Sequence, residues 1–156
     1  MTALWVALQT TDLAVWINFS RWAYAAVATA HVLSIAALIG SILVLDLRLI
    51  GFARWLDPIY LARLVVPVAG TALCCAVVSG GLLFIGRAAE YAAFDTFWIK
   101  LAFIVCAIGM TLLAHRRYGI WLQRAGERGR VCIGCASIML WLGIAVAGRM
   151  NAFVHG

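Results

Sequence analysis

The residues best suited to bind a cofactor are three histidines and one arginine: His31, His115, His155 and Arg149. Neutral imidazole is a common ligand for haem iron and copper, and a guanidinium binds carboxylates such as haem propionates through two hydrogen bonds. His31 is the strongest candidate, because it lies in the middle of the apolar stretch 21–51. Lipid offers a buried imidazole neither water nor a hydrogen-bond partner, so an ionisable residue there indicates a functional site.

The composition indicates that these residues lie in an integral membrane protein. The 156 residues are 66% hydrophobic and only 12% charged, too few polar side chains to cover a water-soluble domain of this size. The chain is long enough for one domain, which we predict over residues 1–156. Its net charge of +6 favours a membrane topology signal over nucleic-acid binding.

The pattern of apolar segments predicts an all-α fold, an integral membrane four-helix up-down bundle. We place an N-terminal interfacial helix at about 1–20, with a bend near Thr10, and transmembrane helices at about 22–45, 64–86, 97–115 and 131–153. Pro67 is expected in the first turn of the second span, where a missing N–H costs little. No basic residue precedes Asp12, so we expect no signal peptide.

The basic residues predict the orientation of the bundle. The loops 46–63 and 115–130 hold eight of the twelve Lys and Arg. Since cytoplasmic loops carry the excess of positive charge, both termini should face the periplasm of a bacterial inner membrane. The lipid bilayer is therefore the first partner that the sequence predicts, and nucleic acid is not expected.

The depth of each residue tests which ligands could share one iron. At 1.5 Å per residue, His31 lies about 14 Å below the outer edge, His115 about 27 Å below it, and His155 about at the surface. Two imidazole nitrogens on opposite sides of one iron are only about 4 Å apart. Neither pair fits well unless helices tilt, so Met110 is a further candidate ligand. Tyr24, Ala28 and Phe103 are expected to line the haem.

Each candidate also has a structural interpretation. His31 could form a hydrogen bond with a Ser or Tyr of a neighbouring helix, and His115 could be ordinary interfacial charge beside Arg116 and Arg117. His155 could be solvated, and Arg149 could extend to the lipid headgroups. Cys132 and Cys135 form a C-x-x-C pair, but Ala136 follows in place of the histidine of a c-type haem site. We interpret all five cysteines as small apolar side chains.

Several short motifs resemble an uncharacterised family of small four-helix bacterial inner-membrane proteins, a domain of unknown function. The motifs are His31-Val32-Leu33, Asp46-Leu47-Arg48-Leu49-Ile50-Gly51, His115-Arg116-Arg117, and Trp141-Leu142-Gly143 followed by Gly148-Arg149. The resemblance spans residues 15–153 and implies a fold and a topology, with no activity attached. A looser similarity to transmembrane b-type cytochromes rests on architecture alone.

These features together predict a haem b-binding membrane subunit that carries electrons between the quinone pool and a periplasmic or membrane redox partner. We expect His31 and His115 as axial ligands and Arg149 as the propionate partner, in a subunit or oligomer. No nucleophile–base pair or carboxylate pair lies within a span, so no catalytic residues are predicted and the chain is at most an electron-transfer subunit of an oxidoreductase. The alternatives are a cofactor-free accessory or anchor subunit and, less supported, a transporter.

Overall fold

The computed structural model describes the backbone of residues 2–155 and the side chains of residues 4–148. Within residues 2–155 the chain forms seven helices and no strand. The helices are α1 (Thr2–Gln9), α2 (Asp12–Phe19), α3 (Arg21–Ile50), α4 (Pro58–Gly86), α5 (Ala88–Ala92), α6 (Asp95–Tyr118) and α7 (Glu127–His155).

Four of the described helices are long and apolar enough to cross a membrane: α3, α4, α6 and the Glu127–Gly148 part of α7. Their most apolar 18-residue windows have a mean hydropathy of 2.1 to 2.2, yet at most 22% of each window is buried. Apolar side chains such as Val32, Leu33 and Val78 therefore face outward. An apolar exterior of this extent suits lipid and is rare on soluble monomers. The prediction of four helices that are long and apolar enough to span a membrane is confirmed.

The two helices that flank the 51–57 connection, α3 and α4, both extend beyond the spans that the sequence predicts. Asp57 accepts a hydrogen bond from the backbone N–H of Ile59 at 2.7 Å, and Pro58 occupies the first helical position, so α4 begins six residues before the predicted start. At the other side, Gly51 ends α3 with φ of 113°. Consequently Pro67 lies inside α4, and its predicted place in the first turn is wrong.

The long helices pack side by side in the order α4, α3, α7 and α6, so that α3 contacts α4 and α7 and α6 contacts α7. We call the end at which α3 begins and α4 finishes the upper end, and the end with the connections 51–57 and 119–126 the lower end. The middle cluster of buried apolar side chains marks one common level and consists of Leu38, Ala72, Ala107, Trp141 and Ile144. The lower cluster contains Leu45, Leu49, Ala62, Val65, Ala114, Leu122 and Ala125.

The two N-terminal helices pack on the upper end. The chain breaks at Thr10 and Thr11, close to the predicted bend, and the Thr11 hydroxyl accepts a hydrogen bond from the N–H at the start of α2. Asn18 donates its side-chain N–H to the carbonyl oxygen of Gly86 at 2.7 Å. The Trp5 ring lies 5.7 Å from the Phe84 ring, which links α1 to α4. This segment therefore packs against the upper ends of α4 and of α3, the helix that carries His31.

Candidate functional site

His31 forms a polar contact between α3 and α4 in the upper half of the protein. Its Nδ1 lies 3.0 Å from the hydroxyl oxygen of Ser79, whose side chain is buried. The interpretation that His31 bonds a Ser of a neighbouring helix is thus confirmed. A polar contact of this kind holds two membrane helices together, because lipid supplies no competing partner.

The hydrogen bonds of Ser79 determine which imidazole nitrogen carries the proton. The Ser79 hydroxyl lies 2.6 Å from the carbonyl oxygen of Cys75. A carbonyl can only accept, so the single hydroxyl hydrogen is used there and the Ser79 oxygen must accept from His31. The Ala76 carbonyl faces the same imidazole and can also only accept. Nδ1 therefore carries the hydrogen, and Nε2 keeps a free lone pair, the form that binds a metal.

A glycine makes room for the His31 ring. A Cβ atom added to Gly80 would lie 2.8 Å from Cε1 of His31, 3.4 Å from Nδ1 and 3.6 Å from Nε2. The edge of the ring between the two nitrogens therefore packs on the α4 backbone. Nδ1 and Nε2 flank this edge, so Nε2 lies on the side of the ring away from Ser79. Gly80 holds the ring in an orientation that leaves the lone pair facing away from its anchor.

Lys100 places a second basic group near His31. It is the only lysine in the chain and lies five residues inside α6, within electrostatic range of the imidazole. A Cβ atom on Gly148 would lie 3.7 Å from both Cε and Nζ of Lys100, so the side chain extends toward α7. Among the described residues, no carboxylate oxygen lies within 4.0 Å of the ammonium group. The upper half thus offers an anionic partner one cation, Lys100, beside the neutral imidazole of His31.

The structure does not bring His31, His115 and Met110 to one level. Measured from the middle cluster, His31 lies about 10 Å toward the upper end and His115 about 12 Å toward the lower end. The two histidines are therefore about 22 Å apart along the axis, and Met110 lies about 15 Å from His31. His115 is half-buried near the lower end of α6, and its Nδ1 has no hydrogen-bond partner among the described residues.

The remaining candidates give less information. The side chains of Arg149 and His155 lie outside the described residues, although both residues belong to α7. Cys132 and Cys135 are free and exposed on α7. Within residues 4–148, no three side chains from His, Cys, Asp and Glu are grouped closely enough to hold a metal ion. A metal centre built from protein ligands alone therefore has no support in this part of the chain.

The residues expected to line a haem beside His31 are partly dispersed. Phe103 packs against α7, where its ring would lie 3.3 Å from a Cβ atom on Gly143. Tyr24 is 40% exposed near the start of α3. The Ser79 and Gly80 contacts, which the sequence did not predict, are the ones that orient His31.

Two further residues of functional interest were not predicted as site residues. Lys100 could have been selected as the only lysine of the chain within an apolar helix. Asp46 is 4% exposed and shares the buried face of α3 with Leu38, Leu45 and Leu49. That helical spacing is visible in the sequence, and it places a carboxyl among core side chains.

Comparison with known proteins leaves the family open. No family model matches the chain, and no curated protein and no solved structure is significantly similar to it. The geometry around His31 is consequently the basis on which a function is inferred.

Proposed function

We propose that this protein is a haem b-binding electron-transfer subunit of the bacterial inner membrane, with the Nε2 atom of His31 as an axial ligand. The observation that carries the proposal is the contact of His31 Nδ1 with Ser79, from which we infer that Ser79 accepts from Nδ1 and that Nε2 keeps a lone pair. Bound haem would supply one-electron chemistry by alternating between ferric and ferrous iron. The chain itself provides ligation, orientation and exclusion of water.

Lys100 supports the proposal because a haem brings two propionate groups into a membrane. A carboxylate in that environment needs a cation, and Lys100 lies near His31 without an acidic partner among the described residues. Arg149 follows Gly148, the glycine that Lys100 approaches, so the proposal keeps it as a second propionate partner.

The separation of the histidines limits the coordination that we propose. An iron bound by His31 cannot also bind His115 or Met110, which lie about 22 Å and about 15 Å further along the axis. Among the candidates whose side chains the structure describes, His31 is then the one residue that would hold the iron, which would leave room on the metal for water, for a diatomic gas or for a ligand from a partner subunit. The ferrous protein should therefore bind carbon monoxide.

The topology that we propose is an up-down bundle with both termini in the periplasm. Eight of the twelve Lys and Arg lie at the lower end, which makes that end cytoplasmic by the positive-inside rule. His31 and Lys100 then lie in the periplasmic half of the membrane, within reach of a periplasmic or membrane redox partner. The α1–α2 segment lies at the periplasmic interface, where its Trp16 side chain is exposed.

A lipid-facing groove between α3 and α4 supports quinone as the other redox partner. Its volume is about 500 Å³, within the range of small-molecule sites, and its walls are mostly apolar. Ser34 and Cys75 line it, each one helical turn from His31 or Ser79. An isoprenoid tail in this groove would bring a quinone ring close to the proposed haem ligand.

The testing experiment is a visible spectrum of the detergent-purified protein, produced with a haem supply, before and after dithionite reduction. We expect a b-type Soret band that shifts on reduction and again on addition of carbon monoxide. His31→Ala should abolish the band while the protein still inserts, and the matched control His115→Ala should keep it. Loss of the band in the His115 variant would contradict single ligation by His31.

The second candidate function is a cofactor-free accessory or anchor subunit of a larger membrane complex. The observation that favours it is the completeness of the His31–Ser79 contact, which by itself satisfies one ring nitrogen and closes the packing on Gly80. A colourless wild-type protein that copurifies with other membrane subunits would support this function and overturn the haem proposal.

A further inference from the structure

The carboxyl group of Asp46 is isolated inside the protein. Of the six acidic residues in the chain, five have exposed side chains and Asp46 alone is buried. The position lies in the lower half of α3, where a Cβ atom on Gly134 would come within 2.9 Å of the Asp46 backbone carbonyl. The close approach of α7 therefore covers this part of α3 and keeps lipid and solvent away from the carboxyl.

Asp46 has one polar neighbour and no cation. The hydroxyl of Ser137 on α7 faces the carboxyl, but the Oδ2 atom has no hydrogen-bond partner among the described residues. No cationic nitrogen in that part of the chain lies within 4.0 Å of either carboxyl oxygen. An ionised carboxylate in such surroundings is costly, whereas the neutral acid avoids most of that cost.

The described charged side chains on α3 and on the helices packed against it do not form an ion pair with Asp46. Arg48 on α3 donates to the backbone carbonyl of Leu56, and Arg63 on α4 lies over the Tyr60 ring. On α7, Arg130 precedes Gly134 by one turn, and its Nε is buried without a partner. On α2 the titratable group is Asp12, which is exposed near the upper end. An ion pair with Arg130 is thus the competing arrangement.

A second unpartnered polar atom lies beside the same space. The indole Nε1 of Trp141 is buried and has no hydrogen-bond partner among the described residues. Trp141 and Asp46 line one cavity of about 60 Å³ between α3 and α7. About 10–15 Å³ of such volume holds one water, so this cavity has room for water but not for an organic ligand. Asp46 and Trp141 line this cavity through their apolar atoms, and its other walls are Ile39, Ile42, Leu43, Ile138, Leu142 and Ala145.

The Trp141 indole N–H and the Asp46 carboxyl restrict which molecule or ion can bind between them. An indole N–H can only donate, so the occupant must accept a hydrogen bond. A metal cation cannot accept one, and it would find only one carboxyl and one hydroxyl group instead of the six or more oxygens that hard cations take. Water both donates and accepts, so it can bond to the Trp141 N–H and to the Asp46 carboxyl once these side chains rotate toward the cavity, whose present surface is apolar.

We propose that Asp46, Ser137 and Trp141 form a proton-binding site in the membrane, in which Asp46 is a neutral carboxylic acid that exchanges its proton through water entering the neighbouring cavity. Trp141 donates to that water, and Ser137 holds the carboxyl toward α7. Both polar atoms are shielded from solvent, so exchange requires motion of the two side chains. The site does not depend on haem binding.

The experiment is infrared difference spectroscopy of the full chain in lipid at neutral pH, comparing wild type with Asp46→Asn. Because the other five acidic side chains are exposed to solvent and Asp46 alone is buried, the C=O stretch of a buried, protonated carboxylic acid should be absent from the variant alone. Transfer into D₂O should shift the wild-type band to lower frequency. A difference spectrum without the acid band would show an ionised Asp46, paired with Arg130 or another cation, and would overturn the proposal.

Trp141→Phe tests the role of water. It removes the indole N–H and retains an aromatic ring, so the acid band should persist while its exchange in D₂O slows several-fold. The matched control Trp16→Phe replaces an exposed indole and should leave the exchange rate unchanged. An acid band that never exchanges in the wild type, or that exchanges equally fast in Trp141→Phe, would overturn the water pathway.

Discussion

The upper and lower halves of α3 each place one titratable side chain against a serine and a glycine of a neighbouring helix, but the contacts around the two side chains differ. Above, His31 faces Ser79 and Gly80 of α4; below, Asp46 faces Ser137 and Gly134 of α7. Gly80 gives its space to the imidazole ring, so the contact is completed by a side chain. At Gly134 the backbone and side chains of α3 occupy the space that a Cβ atom would take, so α3 and α7 come close together. The Oδ2 atom of Asp46 has no hydrogen-bond partner among the described residues.

This difference separates two uses of glycine in a membrane protein. A glycine that accommodates a side chain orients one functional group, and a substitution there moves that group. A glycine that accommodates a neighbouring backbone sets the distance between helices, and a substitution there moves a helix. The consequences of adding one methyl group at each position should therefore differ in both size and kind.

The largest effect is expected for Gly134→Ala. The added Cβ would lie 2.9 Å from the Asp46 carbonyl oxygen and 3.0 Å from Ile50 Cγ1, and a helix backbone cannot move aside alone. We expect a loss of about 1–3 kcal/mol in the free energy of unfolding. This free energy can be measured by titrating the protein from a mild detergent into dodecyl sulfate and following the loss of helix by circular dichroism.

The matched control for that change is Gly109→Ala on α6, where no heavy atom lies within 4 Å of the added Cβ. It should leave the transition unchanged or shift it to higher denaturant, because alanine favours a helix over glycine. An equal loss in both variants would mean that the approach of α3 and α7 at Gly134 does not determine stability.

A smaller loss of stability, with a specific loss of ligand, is expected for Gly80→Ala. The added Cβ would lie 2.8 Å from His31 Cε1, and the ring can turn away about its two side-chain bonds. The rotation would break the contact with Ser79 and misdirect Nε2. The haem content per protein, from the Soret absorbance, should fall several-fold, while the unfolding transition shifts by only about 1 kcal/mol.

Gly81→Ala is the control for Gly80→Ala, since its added Cβ meets nothing within 4 Å. It should bind haem as the wild type does. Full haem content in Gly80→Ala would contradict the orientation of His31 described above, and loss of haem in both variants would point to a general effect on α4.

The smallest effect is expected for Ser79→Ala. Hydrogen bonds between membrane helices contribute about 0.6 kcal/mol on average, and the Ala76 carbonyl still faces the imidazole as an acceptor. Haem content should stay near that of the wild type, and the unfolding transition in dodecyl sulfate should move slightly. A loss of haem as large as that in His31→Ala would show that Ser79, and not Ala76, selects the protonation state of the imidazole.

The helices were predictable from the sequence because their cause is local. Hydropathy over about 20 residues identified the four apolar segments, since a membrane span must satisfy its own backbone. The break near Thr10 followed from polar residues that cap helices. The extension of α4 to Pro58 was missed although its signal, Asp57 before a proline, is also local. The predicted start at residue 64 matched the length of a membrane span, whereas the helix itself begins at Pro58, before that span.

The candidate site was predictable only in part. The sequence alone determined that His31 is an ionisable group within an apolar helix, and that it needs a partner. It allowed Ser or Tyr as that partner and could not choose Ser79, 48 residues away. The choice depends on how α3 and α4 are rotated and shifted against each other, which the packing of many side chains determines together.

Tertiary structure alone also determined two distances: the separation of His31 and His115 along the helix axis, and the distance between α3 and α7 at Gly134. The levels of α3 and α6 follow from the shared contacts of Leu38, Ala107 and Trp141, and they separate His31 from His115. The close approach of α7 at Gly134 buries Asp46, which the sequence analysis had placed in the loop 46–63. A residue's own helix can be read from its neighbours in the chain, but its depth and partners depend on helices that are distant in sequence.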